Sequence, residues 1–220
     1  MLKRPAPPVD YDAKAKSSQE AMEKIRQKLR GMDLGAFLKD KLAKMSDDDR
    51  RDILGKLDHA AKLERRERCR LDFMAFKRLM WPEYLHGPHF DILAKVYHRI
   101  ACGEPVRAII NIPPRHGKSE DVSYLFPSWF IGKFPSKKII QVSNVKTLAE
   151  DFGAKVRNLM VTEEYQNIFP GVKMAADSKA KGKWNTKQGG TYFAAGVGGT
   201  IVGRGADLCT HPNSMVVSQR

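Results

Sequence analysis

The sequence Asn111-Ile112-Pro113-Pro114-Arg115-His116-Gly117-Lys118-Ser119 begins at the end of a short β-branched run, Val106 to Ile112. A helical pattern follows it from Lys118 to about Ile131. A Gly-Lys-Ser tripeptide between a strand and a helix is the arrangement of phosphate-binding loops, although Ile112 stands where the usual loop has its first glycine. We therefore expect a nucleotide-phosphate site here.

The residue types of the loop suit contact with phosphates. Gly117 lets the backbone approach them, and amides at the start of the following helix point toward them. Lys118 is expected to bridge the β- and γ-phosphates of ATP, and the Ser119 hydroxyl is expected to ligate Mg²⁺. The loop residues predicted to bind nucleotide are Pro114, Arg115, His116, Gly117, Lys118, Ser119 and Glu120.

Two loop residues have alternative interpretations. Arg115 either reaches the γ-phosphate and stabilises charge during transfer, as a catalytic residue beside Lys118, or pairs with a nearby carboxylate. Pro113 and Pro114 favour the first role because they stiffen the loop that carries the side chain. His116 either shapes the loop or takes part in chemistry.

Strand and helix patterns alternate around the loop. A helix from His89 to Ala101 precedes it. A strand from Lys138 to Ser143, a helix from Val145 to about Val161 and one or two strands within Lys183 to Ala195 follow it. This alternation predicts an α/β fold with a mostly parallel sheet covered by helices.

The chain divides by pattern into four parts. Residues 1–12 contain three prolines and are expected to form a flexible arm. Residues 13–85 show helical spacing, with Ser46 as the cap of one helix. Residues 86–208 form the predicted P-loop core, and residues 209–220 are a divergent tail.

Composition narrows the class of protein. The chain has 220 residues and a net charge of +14, which fits either contact with an anionic partner such as nucleic acid or a solvated basic surface. The mixed-charge run from Lys62 to Arg68 has the same two interpretations. No apolar run approaches the ~20 residues that span a bilayer, and no secretory signal is visible, so we expect no membrane association and a cytoplasmic location. Three isolated cysteines predict reduced thiols.

Several segments together resemble the large terminase subunit, the ATPase that drives DNA packaging in tailed bacteriophages. The resemblance covers about residues 80 to 208. The matching segments are Pro113-Pro114-Arg115-His116-Gly117-Lys118-Ser119-Glu120, Phe126-Pro127-Ser128-Trp129, Lys138-Ile139-Ile140-Gln141-Val142-Ser143-Asn144, Leu148-Ala149-Glu150-Asp151-Phe152-Gly153, Val156-Arg157, Glu164-Tyr165, Ile168-Phe169-Pro170 and Ala195-Gly196-Val197-Gly198-Gly199-Thr200-Ile201-Val202-Gly203-Arg204-Gly205-Ala206-Asp207-Leu208.

The resemblance implies a RecA-like P-loop core that binds ATP and Mg²⁺. It also implies a homo-oligomeric ring at a capsid portal, acting on double-stranded DNA with the portal protein and the small terminase subunit as partners. In that family an adenine-contacting segment precedes the loop, and Tyr84 to Phe90 resembles it, with His89 as the expected contact. The alternative for His89 is a helix-start residue that hydrogen-bonds the backbone. Arg204 either faces nucleotide or DNA, or accompanies a tight turn between two glycines.

The resemblance stops after Leu208. The family continues there with an apolar strand that ends in acidic residues, which hold the Mg²⁺ shell and activate water. We find no apolar strand and no acidic residue in the sequence after Asp207, and Asp207 itself precedes the expected strand. The abrupt change suggests a frameshifted or early-ended reading frame and a chain that binds nucleotide weakly, with hydrolysis severely impaired. The alternatives are a non-catalytic, basic nucleic-acid-binding fragment and an unrelated phosphotransferase or helicase.

Overall fold

The computed structural model describes residues 44–176, 180–199, 201, 203–211 and 214–217. The expected arm over residues 1–12 and the helical pattern up to residue 43 lie outside this part of the chain. The chain divides into two compact units, residues 1–59 and 60–220. The second unit carries the phosphate loop and all the strands.

The first described helix, α1, spans Asp47–Leu71. It begins where the sequence predicts, because Ser46 Oγ accepts a hydrogen bond from the Asp49 amide at 3.2 Å. Three aspartates in its first turn favour the same start.

Six further helices follow α1 in the described part of the chain, and each is shorter than α1. They are α2 (Phe73–Met80), α3 (Pro88–Ala101), α4 (Lys118–Glu120), α5 (Phe126–Lys133), α6 (Lys146–Met160) and α7 (Glu163–Ile168). Asp72 caps α2 and Thr162 caps α7 through their side-chain oxygens. A π-helical turn, Asp121–Leu125, joins α4 to α5, so the helical chain runs without interruption from Lys118 to Lys133.

Six strands form one sheet in the order β1-β6-β5-β2-β4-β3. Their bounds are β1 Arg107–Ile109, β2 Lys138–Ser143, β3 Lys183–Asn185, β4 Thr191–Gly196, β5 Leu208–His211 and β6 Ser214–Val217. Because β2 is parallel to β4 and β5, and β6 is antiparallel to both β5 and β1, strands β1, β2, β4 and β5 run in one direction. The predicted α/β class with a mostly parallel sheet is confirmed.

Side chains alternate between the two faces of β2, β3 and β4. On the face toward α6, Ile139, Trp184 and Tyr192 are fully buried. Trp184 Nε1 donates a hydrogen bond to the Gly153 carbonyl of α6 at 3.1 Å. Gly153 permits this packing, because a Cβ there would lie 2.6 Å from the Lys181 carbonyl oxygen. The opposite face, with Lys138 and Lys183, is more exposed.

The strands differ from the sequence prediction in two places. β1 is shorter than the predicted run of 106–112, because the chain leaves the sheet at Ile110 to enter the loop. Two strands follow Asp207, where the sequence predicts no apolar strand. Leu208–His211 pairs with β2, and Ser214–Val217 pairs with both β5 and β1. Strand pairing requires free backbone donors and acceptors and does not require an apolar run.

Candidate phosphate-binding site

The loop connects the C-terminal end of β1 to the start of α4. Gly117 lies at the turn into the helix with φ 74° and ψ 4°, the left-handed conformation that favours glycine. A Cβ at Gly117 would lie 3.0 Å from Phe90 Cζ, so the ring of α3 packs directly against the loop backbone. The predicted order of strand, glycine-containing loop and helix is therefore present.

Arg115 has φ 63°, the one positive φ of a non-glycine residue among those described. Its side chain is exposed. It has no carboxylate partner in the described part of the chain, so the ion-pair interpretation has no support here. The strained backbone holds the guanidinium outside the fold, where an anionic ligand can reach it.

Two histidines hold the middle of the loop. His116 Nδ1 donates to the Pro114 carbonyl oxygen at 2.8 Å, which closes the loop on itself. His89 Nε2 donates to the His116 carbonyl oxygen at 3.2 Å and joins α3 to the loop. Both histidines therefore contact loop backbone, and the contact of His116 fits the loop-shaping interpretation.

Lys118 extends across the loop. Its Nζ lies 3.4 Å from the Ile112 carbonyl oxygen, so the ammonium lies between the two ends of the loop. Ser119 is half-buried in the first helical turn. Glu120 is paired with Lys155 of α6 at 2.6 Å, so its carboxylate has a cationic partner within the protein.

A buried ion pair lies directly behind the loop. Lys77 Nζ of α2 is 2.6 Å from Asp121 Oδ1 in the π-helical turn, and neither side chain is exposed. Tyr97 donates its hydroxyl to Asp121 Oδ2 at 3.4 Å. Lys77 Nζ also lies over the Phe90 ring, 3.0 Å from its centroid. Lys77 thus connects α2 to both the loop helix and the ring beneath Gly117.

The environment of this pair opposes both charges. Burial raises the pKa of Asp121 above its ordinary value, although the Lys77 charge acts in the opposite direction. Burial lowers the pKa of Lys77, although Asp121 opposes that shift. The sequence gives no sign of this pair, because a lysine and an aspartate on distant helices leave no local pattern.

A chain of polar side chains crosses the sheet below the loop helix. Gln141 Nε2 of β2 donates to Ser123 Oγ at 3.1 Å. Thr210 of β5 donates its hydroxyl to Gln141 Oε1. All three side chains are buried, so the polar groups satisfy one another.

The C-terminal end of β5 carries Thr210 and His211. In an ATPase with this kind of loop, a carboxylate that holds the Mg²⁺ shell is expected at the end of such a strand. Neither Thr210 nor His211 is a carboxylate. No group of three or more potential metal ligands is found among the described residues. The described end of β5 therefore provides no carboxylate for a metal site.

Asp207 lies at the N-terminal ends of β5 and β2, whereas the loop follows the C-terminal end of β1. Asp207 binds Lys137 Nζ and the Lys138 amide, each at 2.8 Å, at the start of β2. Arg204 lies over the Phe193 ring, with Cζ 4.1 Å from the centroid. It also follows a turn, because its amide donates to the Ile201 carbonyl oxygen at 3.1 Å. Asp207 therefore anchors two strands and is not a ligand near the loop.

An apolar pocket of about 250 Å³ lies beside the loop, between α3 and β1. His89, Ile92 and Val96 line one side, and Ile109 and Asn111 line the other. The pocket is next to the first residues of the loop, where it has room for a flat ring.

Two further findings concern the chain as a whole. Cys69, Cys102 and Cys209 are free. Across the described residues, no helix combines the length and apolarity needed to cross a membrane. Comparison of the sequence with protein-family models, with curated proteins and with solved structures gave no match.

Proposed function

We propose that the second unit binds ATP through residues 111–119 and is a RecA-like P-loop unit of the phage large-terminase type. The main support for nucleotide binding is the position of the Lys118 side chain. Its ammonium lies across the loop, 3.4 Å from the Ile112 carbonyl oxygen, where it can contact a bound phosphate. The loop amides at Gly117 and the exposed guanidinium of Arg115 add two further phosphate contacts.

The apolar pocket beside the loop is the proposed place for the adenine ring. His89 lies at its edge and also holds the loop through the His116 carbonyl oxygen. A base in this pocket would lie next to phosphates at Lys118, so one ligand would occupy both features. In this proposal His89 positions the loop and contacts the base.

Binding and turnover are separate in this proposal. Ser119 can contribute a hydroxyl to Mg²⁺, but β5 ends in Thr210 and His211 instead of carboxylates. We therefore propose nucleotide binding with severely impaired hydrolysis for these 220 residues. No catalytic step is assigned to Arg115 or Lys118.

Phosphate release from ATP tests this separation. The full chain and Lys118→Ala are each incubated with ATP and Mg²⁺, and the expected release is equal to the background in both. A Mg²⁺-dependent release that disappears in Lys118→Ala would overturn the proposal, because it would show catalysis at this loop.

The terminase proposal is broader and has its own test. It rests on the ordered sequence segments and includes double-stranded DNA, a portal protein, a small subunit and a homo-oligomeric ring as expected partners. The coding DNA beyond the codon for Leu208 tests the terminase proposal. An alternative reading frame that encodes an apolar strand ending in two acidic residues would support the proposal. The absence of such a frame would remove that support.

A second candidate is nucleic-acid binding without any role for nucleotide. The net charge of +14 and the absence of a carboxylate at the end of β5 favour it. DNA binding that depends on salt and is unchanged by Lys118→Ala, in a chain that does not bind ATP, would replace the first proposal with this one.

A further inference from the structure

A cleft of about 370 Å³ lies on the face of the sheet opposite α6. Six of its strand residues occupy alternate positions in register, so their side chains lie on one face: Lys138 and Ile140 of β2, Thr191 and Phe193 of β4, and Lys183 and Asn185 of β3. The lining includes Lys138, Lys183, Asn185, Thr191 and Phe193, with Arg204 from the loop before β5. We call this surface the basic sheet face.

The charge of the basic sheet face is of one sign. Lys138, Lys183 and Arg204 line it, and no carboxylate does. None of the three side chains has an ion-pair partner within the described part of the chain. The carboxylate of Asp207, which accepts the Lys138 amide, is already paired with Lys137 Nζ. The charge of Lys138 also acts on Asp207, but none of the three cations is in ion-pair contact with a described residue, and such a set fits a ligand with more than one negative charge.

The guanidinium of Arg204 lies over the Phe193 ring within this surface. The guanidinium carbon lies 4.1 Å from the ring centroid. A guanidinium plane supported by an aromatic ring leaves its other side available to an unpaired base, and arginine planes are used in this way in nucleic-acid recognition. The cleft therefore offers a contact for a ring as well as for phosphates.

The cations are spread across the sheet. Lys138 is on β2 and Lys183 is on β3, with β4 between them. Two strand spacings amount to roughly 10 Å, and the register offsets Lys183 from Lys138 by two residues along the strands, so their Cα atoms are roughly 12 Å apart. Charges at this separation suit successive phosphates of a chain better than they suit one phosphate group.

We propose that the basic sheet face binds single-stranded nucleic acid, with Lys138 and Lys183 on the phosphates and Arg204 stacked on a base. A duplex keeps its bases stacked inside and offers Arg204 no ring. The surface lies at the N-terminal ends of β2 and β4, whereas the phosphate loop follows the C-terminal end of β1. The inference therefore does not depend on nucleotide binding by the loop.

Fluorescence anisotropy of a labelled oligonucleotide of about twelve nucleotides tests the proposal, a length within the usual site size of such surfaces. The full chain is compared with Lys183→Gln, Arg204→Gln and Arg204→Lys at several salt concentrations. Lys187→Gln is the matched control, because Lys187 lies in the same hairpin, is exposed and does not line the cleft. Circular dichroism confirms that each variant is folded.

Each variant has a distinct expected result. Lys183→Gln and Arg204→Gln weaken binding roughly tenfold and each reduce the salt slope by about 0.7. Arg204→Lys keeps the salt slope but weakens binding, because it retains the charge and loses the plane. Lys187→Gln and Lys118→Ala bind as the unchanged chain does, and the duplex of the same length binds more weakly than the single strand.

Other results overturn the proposal. Equal weakening by Lys187→Gln and Lys183→Gln would mean diffuse charge instead of a site. Binding of the duplex as tightly as the single strand would remove the role of the unpaired base. Loss of binding in Lys118→Ala would move the site to the phosphate loop, and absence of binding at low salt would leave no nucleic-acid site on this face.

Discussion

Lys77 Nζ lies 2.6 Å from Asp121 Oδ1, and neither side chain is exposed to solvent. The pair joins α2 to the π-helical turn that follows the phosphate loop. Breaking a buried pair by removing one partner leaves an uncompensated charge, which costs more than the loss of an exposed pair. The link between these two residues is therefore a structural support of the loop.

Lys77→Met is expected to lower the free energy of unfolding by about 3–5 kcal/mol, because Asp121 loses its cation. The double variant Lys77→Met with Asp121→Asn should recover part of this loss, since no unpaired charge remains. Urea unfolding measures both. Lys95→Met, at an exposed position of α3, is the control and should change stability by less than about 0.5 kcal/mol. A loss of that small size in Lys77→Met would contradict a supporting role.

Gly117→Ala is expected to reduce ATP affinity by roughly tenfold or more, because the added Cβ requires both an unfavourable φ and movement of Phe90. Gly189→Ala is a matched control, since Gly189 also has a positive φ of 87° but has open space where the added methyl group would lie. Gly189→Ala should lose about 1–2 kcal/mol of stability because of its positive φ, and Gly117→Ala should lose at least as much because Phe90 must also move. Equal ATP affinity in the two variants would show that the backbone at Gly117 does not contact nucleotide.

His89→Ala should weaken ATP binding about fivefold, the effect of losing one hydrogen bond of about 1 kcal/mol. The bond in question runs from His89 Nε2 to the His116 carbonyl oxygen at 3.2 Å. His86→Ala serves as the comparison, because His86 is in the same segment and pairs with Asp91 instead. Titration of a fluorescent ATP analogue gives both affinities. An identical effect in the two variants would argue against a specific role for His89.

Local patterns predicted the elements around the loop well. The strand Lys138–Ser143 has the predicted bounds, and the helix predicted to begin at His89 begins one residue earlier, at Pro88. Both elements have a clear apolar period, and both are bounded by loops. Local sequence patterns are therefore sufficient to predict the strand and the helix named here, which lie near the loop.

Contacts between distant residues could not be predicted in this way. Lys77 is fully buried although lysines are usually exposed, because Asp121 and the Phe90 ring lie beside it only in the folded chain. β5 was missed because Cys209 and Thr210 break the apolar run, while Gln141 satisfies Thr210 from a neighbouring strand. The loop was therefore predictable from local sequence, whereas the contacts that support it were not.

Asp207 should make stability depend on acid pH. Burial raises the pKa of Asp207, but hydrogen bonds from Lys137 Nζ and the Lys138 amide lower it more, so the pKa lies below its ordinary value of 3.8. A depressed pKa gives stability that is present above the unfolded value and is lost as pH falls through the folded value. The contribution should therefore be complete at about pH 5 and decline below about pH 4.

Asp207→Asn is expected to reduce this decline, because the amide does not titrate. Thermal unfolding midpoints between about pH 2 and pH 6 provide the measurement, with Asp151→Asn as the control at an exposed position. If Asp207→Asn and Asp151→Asn change the acid dependence equally, the pairing of Asp207 with Lys137 does not contribute to stability.

Calorimetric titration of ATP into the full chain, Lys118→Ala and Lys95→Ala measures whether Lys118 contacts the nucleotide. We expect saturable one-to-one binding by the full chain and by Lys95→Ala. We expect Lys118→Ala to lose at least roughly tenfold in affinity, since a charged contact to phosphate contributes about 1.5–3 kcal/mol. Equal ATP affinity in all three proteins, or no binding by the full chain, would contradict a phosphate site at Lys118.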